Sequence, residues 1–500
     1  MSALGTELVL GIDIGTSASK GVLASPDGTI VAVAGRPHPL SLPRPGWAEH
    51  DAEAIWWADF VALAQSLVAR ADQTSGRIVS VCVSGIGPTL LPADADGRPL
   101  RPAILYGIDS RSTREIADLT EQFRADAILA RGGTLLSSQA VGPKLLWLRR
   151  NEPEVWDKTR QLLMANSFIV ERLTGEYTLD HHSASQVDPL YEIQTNRWAE
   201  DWASEVAPGL ELPRLIWPGK VAGQITPAAA AETGLPAGIP VAGGSIDAWV
   251  EALSVDVRDP GDVMLMYGTT LMVVEVVEQL QPYAGLWGTT HLFPGTSSLS
   301  TGLATSGALT SWLREIAGGP PFEKLINEAA AVRAGADGLL VLPYFAGERA
   351  PVDDPRARGL ILGLTLSHGR GHMYRALLEA SGFGVRHIVE TLRGAGAHGR
   401  RLVAVGGGTQ RDLWPQIVSD ILGQPQEIPR ETIGASYGDA LLAAMAAGLA
   451  DQGTRWNTPA AVVEPCAEHA AVYDRLYAIY RSLYPATREA MHQLADMQLG

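Results

Sequence analysis

The stretch from Leu8 to Val83 constrains the fold most, because three apolar runs precede the first helix. Leu8, Val9, Leu10, Ile12 and Ile14 read as a buried strand, and Gly21, Val22, Leu23 and Ala24 resume a strand after a Gly15-Thr16-Ser17 turn. Pro26-Asp27-Gly28 makes a second turn, into Thr29 to Ala34. A helix follows: Asp51 can cap it, and Ile55, Trp56, Phe60, Leu63 and Leu67 recur at helical spacing to about Ala71. Ile78 to Val83 is the next strand. A doubly wound dinucleotide-binding domain alternates strand and helix from its start, so the order strand, strand, strand, helix, strand excludes it.

That order is the one an actin-like, ribonuclease-H-like ATPase core requires. The first hairpin also carries chemistry. It delivers Asp13 into a turn where Gly15 lets the backbone approach an anion, and Thr16, Ser17 and main-chain N–H groups can donate to phosphate oxygens. Asp13 could then hold Mg²⁺, usually through water. A second unit of the same design lies mid-chain, where Val263 to Tyr267 run into Gly268-Thr269-Thr270 and Leu271 to Val274 leave. Two such units suggest two related half-molecules whose turns face across a cleft and clamp a polyphosphate.

Bulk properties exclude several classes. A chain of 500 residues with 46% apolar residues buries more than one core. No apolar run reaches about 18 residues, and the first residues lack a basic, hydrophobic, cleavable leader, so a cytoplasmic protein without membrane partners is expected. The net charge of −16 argues against a nucleic-acid surface. Cys82 and Cys466 have no metal-binding spacing and imply no disulfide framework. Gly434-Ala-Ser436-Tyr-Gly438 matches the nucleophile elbow of hydrolases, but Pro429 to Ile433 do not form a clear strand before it.

In the second half Ser306 begins a helix through Ile316, and Met373 to Leu392 form a longer one. Leu402 to Val405 is a strand ending in Gly406-Gly407-Gly408, followed by a helix that Asp412 can cap and Gly423 ends. Between the two turns, Val241-Ala-Gly-Gly-Ser-Ile-Asp247 is a strand-to-helix junction with room for a ligand at its glycines. Asp247 stands near the positive end of a helix through Leu253, as an N-cap or as an acceptor for a hydroxyl proton. Glu251, one turn on, reads as a surface or hydrogen-bonding residue.

Together these residues resemble the FGGY carbohydrate kinases over nearly the whole chain. Asp13-Ile-Gly-Thr-Ser with Lys20 is similar to the family's first phosphate motif, and Pro45-Gly-Trp-Ala-Glu-His-Asp with Trp56-Trp57 to the segment after it. Pro143-Lys-Leu-Leu-Trp-Leu and Leu173-Thr-Gly-Glu resemble its middle signature, and Gly268-Thr269-Thr270 its second phosphate motif. Leu342-Pro-Tyr-Phe-Ala-Gly-Glu-Arg-Ala-Pro and Gly359-Leu-Ile-Leu-Gly-Leu, with His372-Met and Ala376-Leu-Leu-Glu, resemble the last signature.

The resemblance implies an α/β fold of two actin-like domains flanking a nucleotide and sugar cleft. Residues 1–250 would bind sugar and carry the first phosphate motif, 251–450 would bind ATP, and 451–500 would be a helical segment packed on the core. It implies Asp247 as catalytic base and Asp13 at Mg²⁺. Thr16, Ser17, Lys20, Gly268 and Thr269 would take the phosphates of ATP, and Gly307, Ser311, Gly407, Gly408 and Arg411 would hold ribose and adenine. Closure of the halves would bring base and phosphate together, and a homodimer stays open.

For the sugar, Val83 to Leu91 lacks the histidine that many xylulokinases carry there and the Arg-Glu pair of glycerol kinases, and Ala248 replaces an asparagine. The pattern Arg101 to Tyr106 and Asp109-Ser-Arg111 still resembles xylulokinase-type members most, so a ketopentose such as D-xylulose is expected. Asp109 and Arg111 could contact sugar hydroxyls or pair with each other at a loop. Another ketose or polyol, such as ribulose, and a non-catalytic actin-like ATP-binding module are the alternatives.

Overall fold

The computed structural model describes residues 6–499. Each half is built on one mixed sheet, and the two sheets share a plan. In the first, Ile30–Pro37, Ala18–Ala24 and Thr6–Ile14 form the expected antiparallel meander, Gly76–Gly85 runs parallel beside Thr6–Ile14, and Pro240–Ala242 and Val221–Gln224 follow. In the second, Ser297–Leu303, Leu271–Val277 and Asp262–Tyr267 are the meander, with Arg401–Val405 and Gln426–Pro429 parallel beyond it and Pro459–Val463 at the edge. The second sheet gains one further strand, Trp287–Thr290, outside the meander. This common order is much stronger support for two related halves than the shared Gly-Thr pair.

The helix after the first meander covers Ala58–Gln73, with Ala52–Trp57 as a wider first turn, and Asp51 accepts the N–H groups of Glu53 and Ala54 as its cap. Phe60, Leu63 and Leu67 bury one face of the first sheet. The triple-glycine turn leads into Leu413–Leu422, which Gly423 ends in the left-handed conformation, but the Asp412 side chain makes no capping bond. The segment 451–500 is not wholly helical, because Pro459–Val463 adds a strand before Ala470–Leu499. That last helix packs Tyr473, Tyr477 and Tyr480 against Leu340 and Phe383. No helix among the described residues is long and apolar enough to cross a membrane.

The fifth strand of each sheet runs into an equivalent helix, Asp247–Ser254 in one half and Ala435–Ala446 in the other. These helices cross at a glycine. A Cβ on Gly438 would stand 2.3 Å from the carbonyl oxygen of Val250, and one on Gly11 would stand 2.1 Å from that of Ser436. Helix Ala435–Ala446 therefore lies directly on the first sheet, although its sequence belongs to the second half. Cys82, Trp249, Val250, Met264 and Leu441 share one core that runs through both halves.

Gly438→Ala sets two effects against each other. Alanine favours an exposed helix by about 1 kcal/mol over glycine, but here the added methyl meets backbone that has no rotamer to yield. Overpacking of this kind costs about 1–3 kcal/mol, so a net loss of stability is expected from urea denaturation.

Candidate active site

The first hairpin register sets Asp13 opposite Lys20, and the parallel strand sets it beside Ser84. The Ser84 hydroxyl stands 3.3 Å from Asp13 Oδ1 and 2.5 Å from Asp439 Oδ2. Asp439 comes from helix Ala435–Ala446, is fully buried and also faces the Cys82 thiol. The Ser84 hydroxyl thus lies between a carboxyl group of each half.

Asp247 is the first residue of its helix, and its Oδ1 accepts the Ala248 N–H at 2.7 Å. The loop before it is fixed from behind. Gly244 is left-handed, with its missing side chain replaced by the Val83 carbonyl, and the Gly85 N–H reaches the Ser245 carbonyl. The Ser245 hydroxyl donates at 2.7 Å to Asp180, a buried carboxyl that also takes the Ser183 N–H and the Asn166 amide.

Asp247, Glu251 and Asp439 each lie close enough to Asp13 to feel its charge. Burial pushes Asp13 up to about 6 against the Ser84 hydrogen bond and the charges of Lys20 and His38. Burial, joined by the charge of Asp13, pushes Asp247 well above the usual carboxylate range and Glu251 up to about 7. The helix dipole favours an ionised Asp247 by about 0.3–1 kcal/mol, so burial prevails. Asp439 is raised well above its usual range by the same loss of water. Among the described residues no set of three metal-binding side chains converges on one point.

The nucleotide-side residues meet in one place. Gly268, Thr269, Gly307 and Ser311 line a cavity of about 560 Å³, together with Gly407, Gly408 and Arg411 from the triple-glycine turn. That volume suits a nucleotide-sized ligand. The second Gly-Thr turn docks on the start of helix Gly307–Ile316, where the Gly307 N–H donates to the Gly268 carbonyl and the Ala308 N–H to that of Thr269. Phe322, Ile326, Leu378 and Trp414 supply apolar walls. Gly407 and Gln410 also line a second cavity of about 270 Å³, which holds Asp13, Lys20 and Glu251. The two form one groove with aromatic groups at one end and carboxylates at the other.

Thr16 and Ser17 sit at the tip of the first hairpin, and Ser17 is exposed. Glu251 differs from its expected place, since it faces the second cavity rather than serving only the surface. Asp109 and Arg111 bind each other: Arg111 Nε and Nη2 both reach the Asp109 carboxylate, at 2.7–3.0 Å, and neither side chain is exposed. The Arg111 guanidinium also lies 3.9 Å from the centre of the Trp47 ring. Of the two readings open for this pair, the structure displays the internal ion pair. Ser436 of the hydrolase-like motif is fully buried beneath Gly11, where no substrate reaches it.

Sequence reading missed Asp180, Ser84 and Asp439, and only Asp439 had a signal, as a charge in an otherwise small and apolar helix. Its protonation has a sign that can be checked. A carboxyl whose proton is held more tightly in the fold than in the unfolded chain costs stability as pH rises above about 4. Asp439→Asn, neutral throughout, is expected to raise the melting temperature more at about pH 8 than at about pH 5. Thermal melts at both values check this, and equal differences would mean that Asp439 is ionised in the fold.

Comparison with known proteins gives a consistent result. The profile of the FGGY family of carbohydrate kinases, N-terminal domain, matches residues 8–254, and that of its C-terminal domain residues 263–447. The xylulose kinase of Bacillus subtilis (strain 168) is 28% identical over 491 residues, 96% of this chain and 97% of the relative. That of Escherichia coli (strain K12) is 30% identical over 453 residues, 89% of this chain and 90% of the relative. The crystal structure of xylulose kinase from Rhodospirillum rubrum matches with a TM-score of 0.91 at 34% identity, covering 97% of this chain and all of that one (100%).

Proposed function

Because the chain belongs to the FGGY family of carbohydrate kinases, we propose that it transfers the γ-phosphoryl group of ATP to a hydroxyl of a ketopentose such as D-xylulose, with Asp247 as general base. The observation that carries this reading is the shared groove. Residues from five separate stretches of sequence line a nucleotide-sized cavity, and Gly407 and Gln410 join it to the cavity of Asp13, Lys20 and Glu251. A non-catalytic nucleotide-binding module has no use for Asp247, a half-buried carboxyl close enough to feel the charge of Asp13 in that groove.

The residues then divide the work. The turn amides and the hydroxyls of Thr16 and Thr269 hold phosphate oxygens, while the ammonium of Lys20 offsets their charge. The attacking sugar hydroxyl gives its proton to Asp247, whose raised pKa makes it a better acceptor than an ordinary aspartate. Hard oxygen donors suit magnesium, which is commonly bound by one or two carboxylates with phosphates and water completing its shell. Asp13 would hold it, with Glu251 lining the same cavity. When bound, the ion neutralises charge on the phosphates. The Asp109–Arg111 pair stabilises the loop around Trp47 and leaves sugar selection to other groups. A cytoplasmic location and a homodimer belong to the same proposal.

Asp247→Ala is expected to lower kcat by on the order of 10²- to 10⁴-fold while ATP affinity holds. Steady-state kinetics over a panel of ketoses and polyols measures this and ranks the substrates, and full activity in the folded variant would assign the base elsewhere. The wild-type kcat/KM should fall with decreasing pH while the solution is still well above the usual carboxylate range, because burial holds the proton on Asp247. Asp13→Asn is expected to raise the magnesium concentration needed for half-maximal rate, since an amide brings one neutral oxygen in place of a charged pair. An unchanged metal titration would make Asp13 a structural residue.

A further inference from the structure

The first phosphate turn is held from behind by a side chain outside the motif. His38 directly follows the strand Ile30–Pro37, and its ring is buried, with 5% of the side chain exposed. Nδ1 lies 2.7 Å from Asp59 Oδ2 and Nε2 lies 3.1 Å from the Gly15 carbonyl oxygen. A carboxylate and a carbonyl only accept, so each ring nitrogen that bonds must carry a hydrogen. The main-chain N–H of His38 donates to the Ser17 carbonyl at 3.0 Å. One residue thus takes two carbonyls of the three-residue turn.

Asp59 is itself buried and locked. It accepts the Ser19 hydroxyl at 2.8 Å and Arg36 Nε at 2.7 Å besides the imidazole, so the ring has one available orientation. Among the described residues the N–H groups of Thr16 and Ser17 donate to no protein acceptor, whereas the Gly15 N–H closes the turn onto Ala18. Successive amides left free in a turn whose carbonyls are tied behind it form an anion-binding nest.

We propose that His38, held by Asp59, is the positioning residue of the first phosphate turn: it anchors the Gly15 and Ser17 carbonyls so that the Thr16 and Ser17 amides face the phosphates of ATP. This rests on the functional reading of that turn given above. A loosened turn binds phosphate less well but leaves the sugar side intact, so the effect divides between the two substrates.

The test is calorimetric titration of Mg·ATP together with the KM for the sugar. His38→Ala is expected to weaken Mg·ATP binding about tenfold, the size of one ordinary hydrogen bond lost from the phosphate cradle, with the sugar KM unchanged. His38→Gln, which can restore a donor to the Gly15 carbonyl, should recover part of the loss. Where His38→Ala does not fold, Asp59→Asn removes the charge behind the ring and should shift ATP affinity the same way. Unchanged ATP affinity in the folded variants, or equal losses for ATP and sugar, overturns the proposal. Wild-type protein that binds Mg·ATP but phosphorylates no sugar overturns the functional reading alone, and wild-type protein that does not bind Mg·ATP overturns both.

Discussion

The site depends on the crossing of helices Asp247–Ser254 and Ala435–Ala446, with no side chain between them at Gly438. The second helix also touches the first sheet at Gly11, again backbone to backbone. These two close approaches decide how near the carboxyls of the two halves come. A side chain at either glycine would separate Asp439 from Ser84, and Asp247 and Glu251 from Asp13. Packed interiors transmit such displacements because they have few voids to absorb them.

Bringing so many acids together is costly, and the structure reduces the cost in three ways. Loss of water favours the neutral form of Asp439, which removes part of the repulsion. The Ser84 hydroxyl and the Lys20 ammonium stabilise the carboxylate of Asp13. The remaining negative charge faces the groove, where a cation and its phosphates would be accommodated. A protein of net charge −16 can therefore bind a polyanion, because recognition depends on local amides and cations rather than on the overall field.

The halves are joined on one flank as well as through the crossing. The His182 ring donates to the Thr290 carbonyl, the Thr290 N–H to the Ser185 hydroxyl oxygen, and the Trp249 indole to Ser298. Gly133 and Gly288 meet there backbone to backbone. Helix Ala435–Ala446, which belongs to the second half in sequence, lies on the first sheet.

Much of this was legible in the sequence. Apolar periodicity and turn residues located the meanders, the first helix and the triple-glycine turn, since these depend on neighbours a few residues away. The Gly-Thr turns and the glycines before Asp247 were legible for the same reason: a ligand-cradling turn must be built from small residues wherever the chain runs next. Asp180, Ser84, Asp439, Asp59 and His38 were not singled out, and Glu251 was misplaced, because each acquires its role from a partner distant in sequence. Asp109 and Arg111 show the converse, a pair whose local pattern allowed two uses until Trp47 and Glu49 closed over it. The sequence by itself determined the order of elements and the composition of the turns. Only the tertiary structure decided which carboxyls lose their water and which charges face the groove, because protonation and pairing are set by burial and by distances across strands that no local pattern encodes.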